Sequence, residues 1–550
     1  MKKSSLIFYY SYFVLCSLLH AQQKNLPLNR QYFLEIENYL SKDSALGSFV
    51  KYAIPKSLHT SFKPIIEREN LEIDNYGFYM GNGEWKDHSR RTLLLRKTKD
   101  ESLIIIHDSS SQFNLTLDPL LNFEIGEDLN TKIPDNLYVN MRGILVRGDI
   151  GKKISFETSF HENQAKFVNY IHNFNDTFLV VPGQGRWKKF KSNSYDYAMA
   201  SGYISYSPNN HFNFQFGHGK HFIGDGYRSL LLSDNSFNYP YVRITSSFGK
   251  IQYTNLYGVF MNLNSGDVKT PPNIEPLFQK KAASFQMLSW NIHKRIQLGL
   301  FQGMIWQAAD NKNNQHLNFY YFNPVIYADA IKYSTDNTNN ILLGSTIKIK
   351  ITNSAALYGQ YVLDDYASNG SINNKSGFQI GAKAFNLFKI KNLHFQAEYN
   401  QVRPYTYAHK KTEQNYSHYN QPLAHPLGAN FKETVAFLNY RIGDFFTELK
   451  FNYVLIGVDS TGKSYGNNIF RSDNYAYYGV NSINNEQGQG VQRTLMYRDF
   501  KIGYLINPST NLNIVLGVSN RTEKIESVKT ITNFFYIGIR TSLTNVYYDF

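Results

Sequence analysis

From about Gln112 onward, apolar residues recur at every second position over many separate stretches. This is the period of a β-strand, whose successive side chains point to opposite faces. Ile154, Phe156 and Phe160 interleave with Ser155, Glu157, Ser159 and His161. Phe445, Leu449, Phe451 and Tyr453 interleave with Phe446, Glu448, Lys450 and Asn452, and Leu512, Ile514, Leu516 and Val518 with Asn513, Val515, Gly517 and Ser519. Alternation alone does not distinguish a soluble sandwich or propeller from a membrane barrel. The first points its apolar face inward; the second points it at lipid and its charges at a wet lumen.

Connection lengths decide between them. About 18 candidate strands, each about 9–11 residues long, are joined by connections that alternate short and long. Short ones fall near Asp149-Ile150-Gly151, Pro208-Asn209-Asn210, Phe248-Gly249, His293-Lys294, Thr352-Asn353, Leu387–Lys391, Gly443-Asp444 and Asn507–Thr510. Long polar ones span 165–194, 217–239, 262–281, 303–340, 364–375, 401–432, 455–493 and 520–532, with 126–136 intermediate. Short turns at one end and long loops at the other predict an all-β fold, an 18-stranded antiparallel transmembrane β-barrel, over 112–550. An even strand number puts both ends of the chain on the short-turn, periplasmic side and the long loops outside the cell. The last segment, Phe535, Ile537, Ile539, Leu543, Val546, Tyr548 and Phe550, reads as the closing strand. Its terminal Phe resembles the signal read by barrel-assembly machinery.

Composition fits this expectation. Hydrophobic residues make up 42%, yet mean hydropathy is −0.41, because only one face of each strand need be apolar. Tyr (42) and Phe (40) supply enough aromatic side chains for interfacial girdles. No apolar run beyond the first residues is long enough for a spanning helix, so a spanning chain must close as a barrel to satisfy its backbone.

Residues 1–21 read as a signal peptide. Lys2 and Lys3 precede an apolar run from Leu6 to Leu19, and Ala21 stands at the cut. The single Cys, Cys16, lies in this leader, so the mature chain holds no disulfide or thiolate site. Residues 22–111 read as a small α/β periplasmic or plug segment. Tyr32, Phe33, Ile36, Tyr39 and Leu40 mark a helix within Asn29–Lys42, and Arg91–Arg96 with Ser102–His107 suggest a strand pair. An irregular extension that only packs is the other reading.

The formal charge of +14 suits an anionic partner such as lipopolysaccharide or an acidic polysaccharide. Export and the dispersed charges argue against nucleic acid. No phosphate loop, zinc-protease helix or nucleophile elbow is present, so the chain reads as non-enzymatic and without cofactor. Gly217-His218-Gly219-Lys220-His221 is too sparse a pattern for a metal site and reads as a strand-to-loop junction.

The most distinctive segment is 213–244. It leaves a strand, passes Gly224-Asp225-Gly226 and Arg228, runs through Leu230–Leu232, Ser233 and Asn235, and re-enters a strand after Pro240. Leu230–Leu232 is too apolar for a loop standing in water, which predicts a loop folded inward; an extra element packed on the rim is the alternative. The segment resembles the Wzi family of outer-membrane capsule-assembly barrels, and its layout the related RemB group of gliding-motility proteins. In that family a Gly-Pro-Gly stands where this chain has Gly224-Asp225-Gly226. The resemblance implies an 18-stranded plugged barrel with a lectin-like role in holding surface polysaccharide, or a role in gliding with motility or secretion proteins as partners. Aromatic faces stack on sugars and guanidinium groups bind carboxylates. Tyr405, Tyr407, Tyr416 and Tyr419 in loop 401–432, and Arg471, Tyr475 and Tyr477 in loop 455–493, are therefore candidate glycan contacts. Tyr- and Asn-rich loops that merely cover the rim are the plainer reading. A diffusion porin is the competing function, motivated by Lys348, Lys350, Lys383, Glu398, Glu448 and Lys450 on the inner face.

Overall fold

The computed structural model describes residues 23–42, 49–50, 54–55, 93–108, 110–131, 136–191, 193–263, 278–309, 319–333, 339–364, 374–474 and 485–550. The signal peptide, Tyr475 and Tyr477 lie outside the described residues.

Among the described residues, eighteen antiparallel strands close one barrel. They are β1 (Phe113–Asp128), β2 (Leu137–Ile150), β3 (Ile154–Lys166), β4 (Ser194–Tyr206), β5 (Phe212–Gly219), β6 (Tyr239–Phe248), β7 (Ile251–Asn262), β8 (Gln279–His293) and β9 (Ile296–Gln307). They continue with β10 (Asn340–Thr352), β11 (Ala355–Asp364), β12 (Ser376–Ala384), β13 (Leu393–Val402), β14 (Phe431–Ile442), β15 (Phe445–Val458), β16 (Val491–Asn507), β17 (Leu512–Ile525) and β18 (Val528–Thr541). The ring closes where β18 pairs with β1, from Phe534↔Asp128 to Arg540↔Asn122. Closure leaves no open sheet edge, which a spanning sheet requires.

Side-chain parity runs as the sequence alternation indicates. Ile514, Leu516, Val518 and Ile537 are exposed on the outer wall, while Lys383, Glu398, Glu433 and Glu448 are buried inside. A buried charge is costly unless paired, so this lumen must be filled with matching groups. Helix α1 (Arg30–Lys42) lies inside it. Arg30 pairs with Glu448 and Glu37 with Lys383, while Lys348 reaches Glu37 at 3.4 Å.

Three local expectations are corrected. Residues Leu93–Lys99 form helix α2, not a strand, and Ile104–Asp108 pairs instead with the start of β1. The Leu-Leu-Leu-Arg-Lys run has no β-branched residue, so its intrinsic preference is helical, and Lys97 closes the turn onto Glu101 at 3.0 Å. The connection 520–532 is not a long loop. β17 and β18 run on in register to Ile525↔Val528, around a tight turn where Glu526 has φ +52°. Its polar look comes from strand residues that pair among themselves, Arg521 with Glu523 at 3.0 Å and Arg493 with Glu523.

The third correction concerns Phe550. The closing strand ends at Thr541, and 542–550 turns into the lumen. There the Asn545 N–H bonds Leu28 O at 2.6 Å, the Tyr547 hydroxyl donates to Asp234 at 2.6 Å, and Phe550 packs 4.9 Å from Phe174. Phe174 belongs to helix α3 (Asn169–Phe178), in the long connection between β3 and β4. Phe550 therefore sits toward the long-loop end and is not the end of a wall strand.

One segment of the long connection 303–340 lies against the outer wall. Tyr321 packs 4.6 Å from Trp306 and Phe322 packs 5.3 Å from Tyr257, and helix α4 (Ala328–Tyr333) follows. Its carbonyls are met by outward polar side chains: the Tyr257 hydroxyl donates to Phe322 O at 3.1 Å, and the Gln286 amide to Asn323 O at 3.0 Å. Irregular backbone at membrane depth needs such partners, and the segment turns Val325 and Ile331 outward, 59% and 78% exposed.

Candidate functional site

The segment between β5 and β6 folds into the barrel, as its apolar run requires. Leu230, Leu231 and Leu232 are wholly buried in a core with Phe285, Phe301, Tyr407, Tyr416 and Leu423. An inward loop must find partners for its backbone, and three neighbouring strands supply them. Gln360 on β11 accepts from the Leu230 N–H at 2.9 Å and donates to Ile223 O at 3.0 Å. Gln379 on β12 donates to Arg228 O at 3.0 Å. Glu398 on β13 takes the N–H of Tyr227 at 2.8 Å on one oxygen and that of Arg228 at 2.9 Å on the other.

Glu433 on β14 meets the Arg228 side chain at 3.0 Å, and Asp549 of the inward tail meets it at 2.9 Å. Lys450 reaches Asp549 at 2.6 Å, and His425 donates to Glu433 at 2.6 Å. Burial works against charge on Arg228, but Asp549 and Glu433 hold its guanidinium more firmly protonated than usual. Burial likewise opposes ionisation of Asp549, but Arg228 and Lys450 keep its carboxyl below the ordinary range. Burial lowers His425 despite Glu433 beside it.

The remaining residues of the motif have structural partners. Gly224 has φ +136°, and a side chain there would run into Gln360. Asp225 pairs with Lys348 at 2.7 Å, so a charge contact stands where a Pro is expected. The Ser233 N–H bonds Leu423 O at 2.7 Å, and the Asn235 amide bonds Pro422 O at 3.3 Å. Pro240 is the second residue of β6, opposite His218. His218 bonds Ala200 O at 3.0 Å and His221 bonds the Tyr239 hydroxyl at 3.1 Å.

The proposed sugar contacts separate into two groups. Tyr405, Tyr407 and Tyr416 are buried, with their hydroxyls donating to Ser464 O at 2.7 Å, Leu230 O at 2.8 Å and Leu231 O at 2.6 Å. Tyr407 and Tyr416 stack on each other at 5.7 Å. All three are covered, and Tyr407 and Tyr416 brace the inward loop. Tyr419 is half-buried against Phe237 at 4.7 Å, and the Arg471 side chain is 49% exposed, 3.6 Å from Asp459. Glu398 was visible in the inward parity of β13. The roles of Glu433 and Asp549 were not, because Asp549 read as part of a strand.

The other side of the lumen is not filled by the described residues. Between the wall of β1–β4 and β16–β18 and the inward tail lies a cavity of about 430 Å³. Its lining runs from Arg540 and Ser542 near the short-turn end to Gly126, Leu137 and Lys166 near the long-loop end. Most of its charges are paired: Arg147 with Glu157 at 2.9 Å, Lys501 with Glu448 at 2.7 Å, Arg540 with Glu124 at 3.4 Å. Lys220, at the start of the inward loop, donates to Gly183 O at 2.5 Å; burial pulls it down to about 8, with Asp234 working against the shift.

Solved structures share the architecture. Wzi of Escherichia coli, an outer membrane protein involved in group 1 capsule assembly and described as a carbohydrate-binding β-barrel, matches at 12% identity and TM-score 0.54 over 95% of this chain and 100% of that one. OprD of Pseudomonas aeruginosa matches at 12% identity and TM-score 0.40, over 77% of this chain and 94% of that one. A BenF-like porin of Pseudomonas fluorescens matches at 9% and 0.42, over 78% and 97%. No curated protein matches the sequence. The model of the family described as capsule assembly protein Wzi matches residues 134–453, more than half of the chain. The chain belongs to the Wzi family of capsule assembly proteins.

Proposed function

We propose that this barrel holds surface polysaccharide at its long-loop face, without altering it chemically, as an attachment point for capsule or exopolysaccharide on the outer membrane. The observation that carries this reading is the inward loop locked to the wall through Arg228. It turns the β5–β15 side of a would-be pore into a solid platform, and a rigid platform binds extended ligands at lower entropic cost. In this reading the long loops face outward, lipopolysaccharide surrounds the wall, and Tyr419 and Arg471, with Tyr475 and Tyr477, are candidate contacts. Polysaccharide held this way also supports gliding over surfaces, with motility or secretion proteins as partners, as in the RemB group. Deleting the gene tests both branches. Loss of retained capsule, or of spreading, supports the reading; retention, spreading and gliding all unchanged would falsify it.

A small-solute channel is a second reading, favoured by the cavity along β1–β4. Planar-bilayer recordings separate the two: a platform gives almost no conductance, a channel gives steady current.

A further inference from the structure

The cavity has two cations that its own wall does not neutralise. Arg243 on β6 is 1% exposed, yet among the described residues it meets no carboxylate. Its Nη2 donates to Asn25 Oδ1 at 2.8 Å, and its Nε has no partner. Lys220, toward the long-loop end, has only the Gly183 carbonyl within bonding distance among the described residues; the Asp234 carboxylate acts on it from farther away, outside the cavity lining. Beside it, His161 and Gln184 line the cavity, and the Gln184 side chain faces the imidazole. All four side chains line the cavity, together with Tyr203 and Tyr241.

A buried guanidinium without a counter-charge is expensive, and so is a buried polar atom without a hydrogen bond. Water can serve the polar atoms, but it does not supply the missing charge. The volume falls within the range of about 300–1,000 Å³ that takes small organic ligands. Aromatic walls interleaved with donors and acceptors suit pyranose rings, and unmatched cations along the height suit carboxylates spaced on an oligomer.

We propose that this chamber is a lumenal binding site for a short acidic oligosaccharide, a uronate-bearing segment whose carboxylates are answered by Arg243 and Lys220. The proposal rests on the polysaccharide-holding reading and adds to it an acidic class of sugar and a place inside the wall.

The test is isothermal titration of the refolded full-length chain with trigalacturonate, and with maltotriose as the uncharged control. Arg243→Gln and Lys220→Gln remove the cations. Ser201→Trp fills the cavity from β4 without touching them. The expected result is binding of trigalacturonate only, weakened about tenfold by either charge variant and abolished by Ser201→Trp. Equal binding of both trimers, or trigalacturonate affinity unmoved by Ser201→Trp, overturns the chamber. If long surface polysaccharide binds while trigalacturonate does not, the chamber fails and the loop-face reading stands. If neither binds, both fail. Should Arg243→Gln not refold, Lys220→Gln and Ser201→Trp carry the same decision.

Discussion

The Arg228 side chain lies 2.9 Å from the Asp549 carboxylate, and both are withdrawn from solvent, at 1% and 0% exposure. The contact joins the inward loop to the inward tail, and Glu433 and Lys450 fasten both to the wall. Two cations and two carboxylates balance formally. That balance allows such a cluster to exist inside the barrel, since each uncompensated charge would cost several kcal/mol.

Removing one partner should therefore do more harm than removing a pair. Asp549→Asn is expected to cost about 3–5 kcal/mol and to release 542–550, opening the tail to added protease. Lys450→Met combined with Asp549→Asn removes one cation with the carboxylate, leaves Arg228 balanced by Glu433 and should be the milder variant. Urea unfolding of the detergent-solubilised barrel measures both.

Acid should act in two stages. His418 is buried, faces Lys281, His218 and Lys220, and is lowered to about 3 from 6.5, mainly by burial. A group neutral in the fold but protonated when unfolded removes stability as pH falls below 6.5. Asp549 is shifted the other way, below 3.8, so its contribution holds above that value and is lost as pH falls through the folded pKa. Loop 401–432 should loosen first and the tail only below about pH 4. His418→Gln should flatten the first stage and leave the second, as read by protease accessibility against pH.

Tyr407→Phe and Tyr416→Phe each strand a carbonyl of the inward loop. Each should lower stability by about 1–3 kcal/mol while leaving glycan affinity unchanged. Arg471→Ala should do the reverse. Unfolding curves and glycan titration on the same preparations give both readouts.

Much of the fold was legible because the bilayer imposes one rule on every strand. Leu449, Phe451 and Tyr453 had to face out and Glu448, Lys450 and Asn452 in, so the strand, its parity and its neighbours' lengths could be read from period and loop spacing. Where lipid stops, the rule stops. Arg521 to Lys524 continue a strand but look like a loop, because both faces there are polar. The tail shows the opposite failure: Val546, Tyr548 and Phe550 alternate like a wall strand, but Tyr548 packs on Phe167, Phe550 packs on Phe174 and Val546 faces the cavity. The site was legible as a segment, 213–244, because Leu230–Leu232 demanded burial. Its partners were not, since Glu433 and Asp549 are distant in sequence and carry no local pattern. Tyr405, Tyr407 and Tyr416 had the composition of a sugar site, but their hydroxyls were spent on backbone carbonyls.

Gly224 tests the tight path of the loop. At φ +136° a Cβ is strained whatever the space around it, and here it also meets Gln360. Gly224→Ala should cost about 1–3 kcal/mol, whereas Gly249→Ala, at φ +55° in an open turn, should cost less. The difference between their unfolding midpoints checks this.

The most direct test of the central claim is binding of the refolded barrel to polysaccharide purified from the surface of the cells that make it. The account predicts saturable binding, recovery of the polymer at unchanged length, and near-silence in a planar bilayer. Absence of binding, together with steady single-channel current, would contradict it.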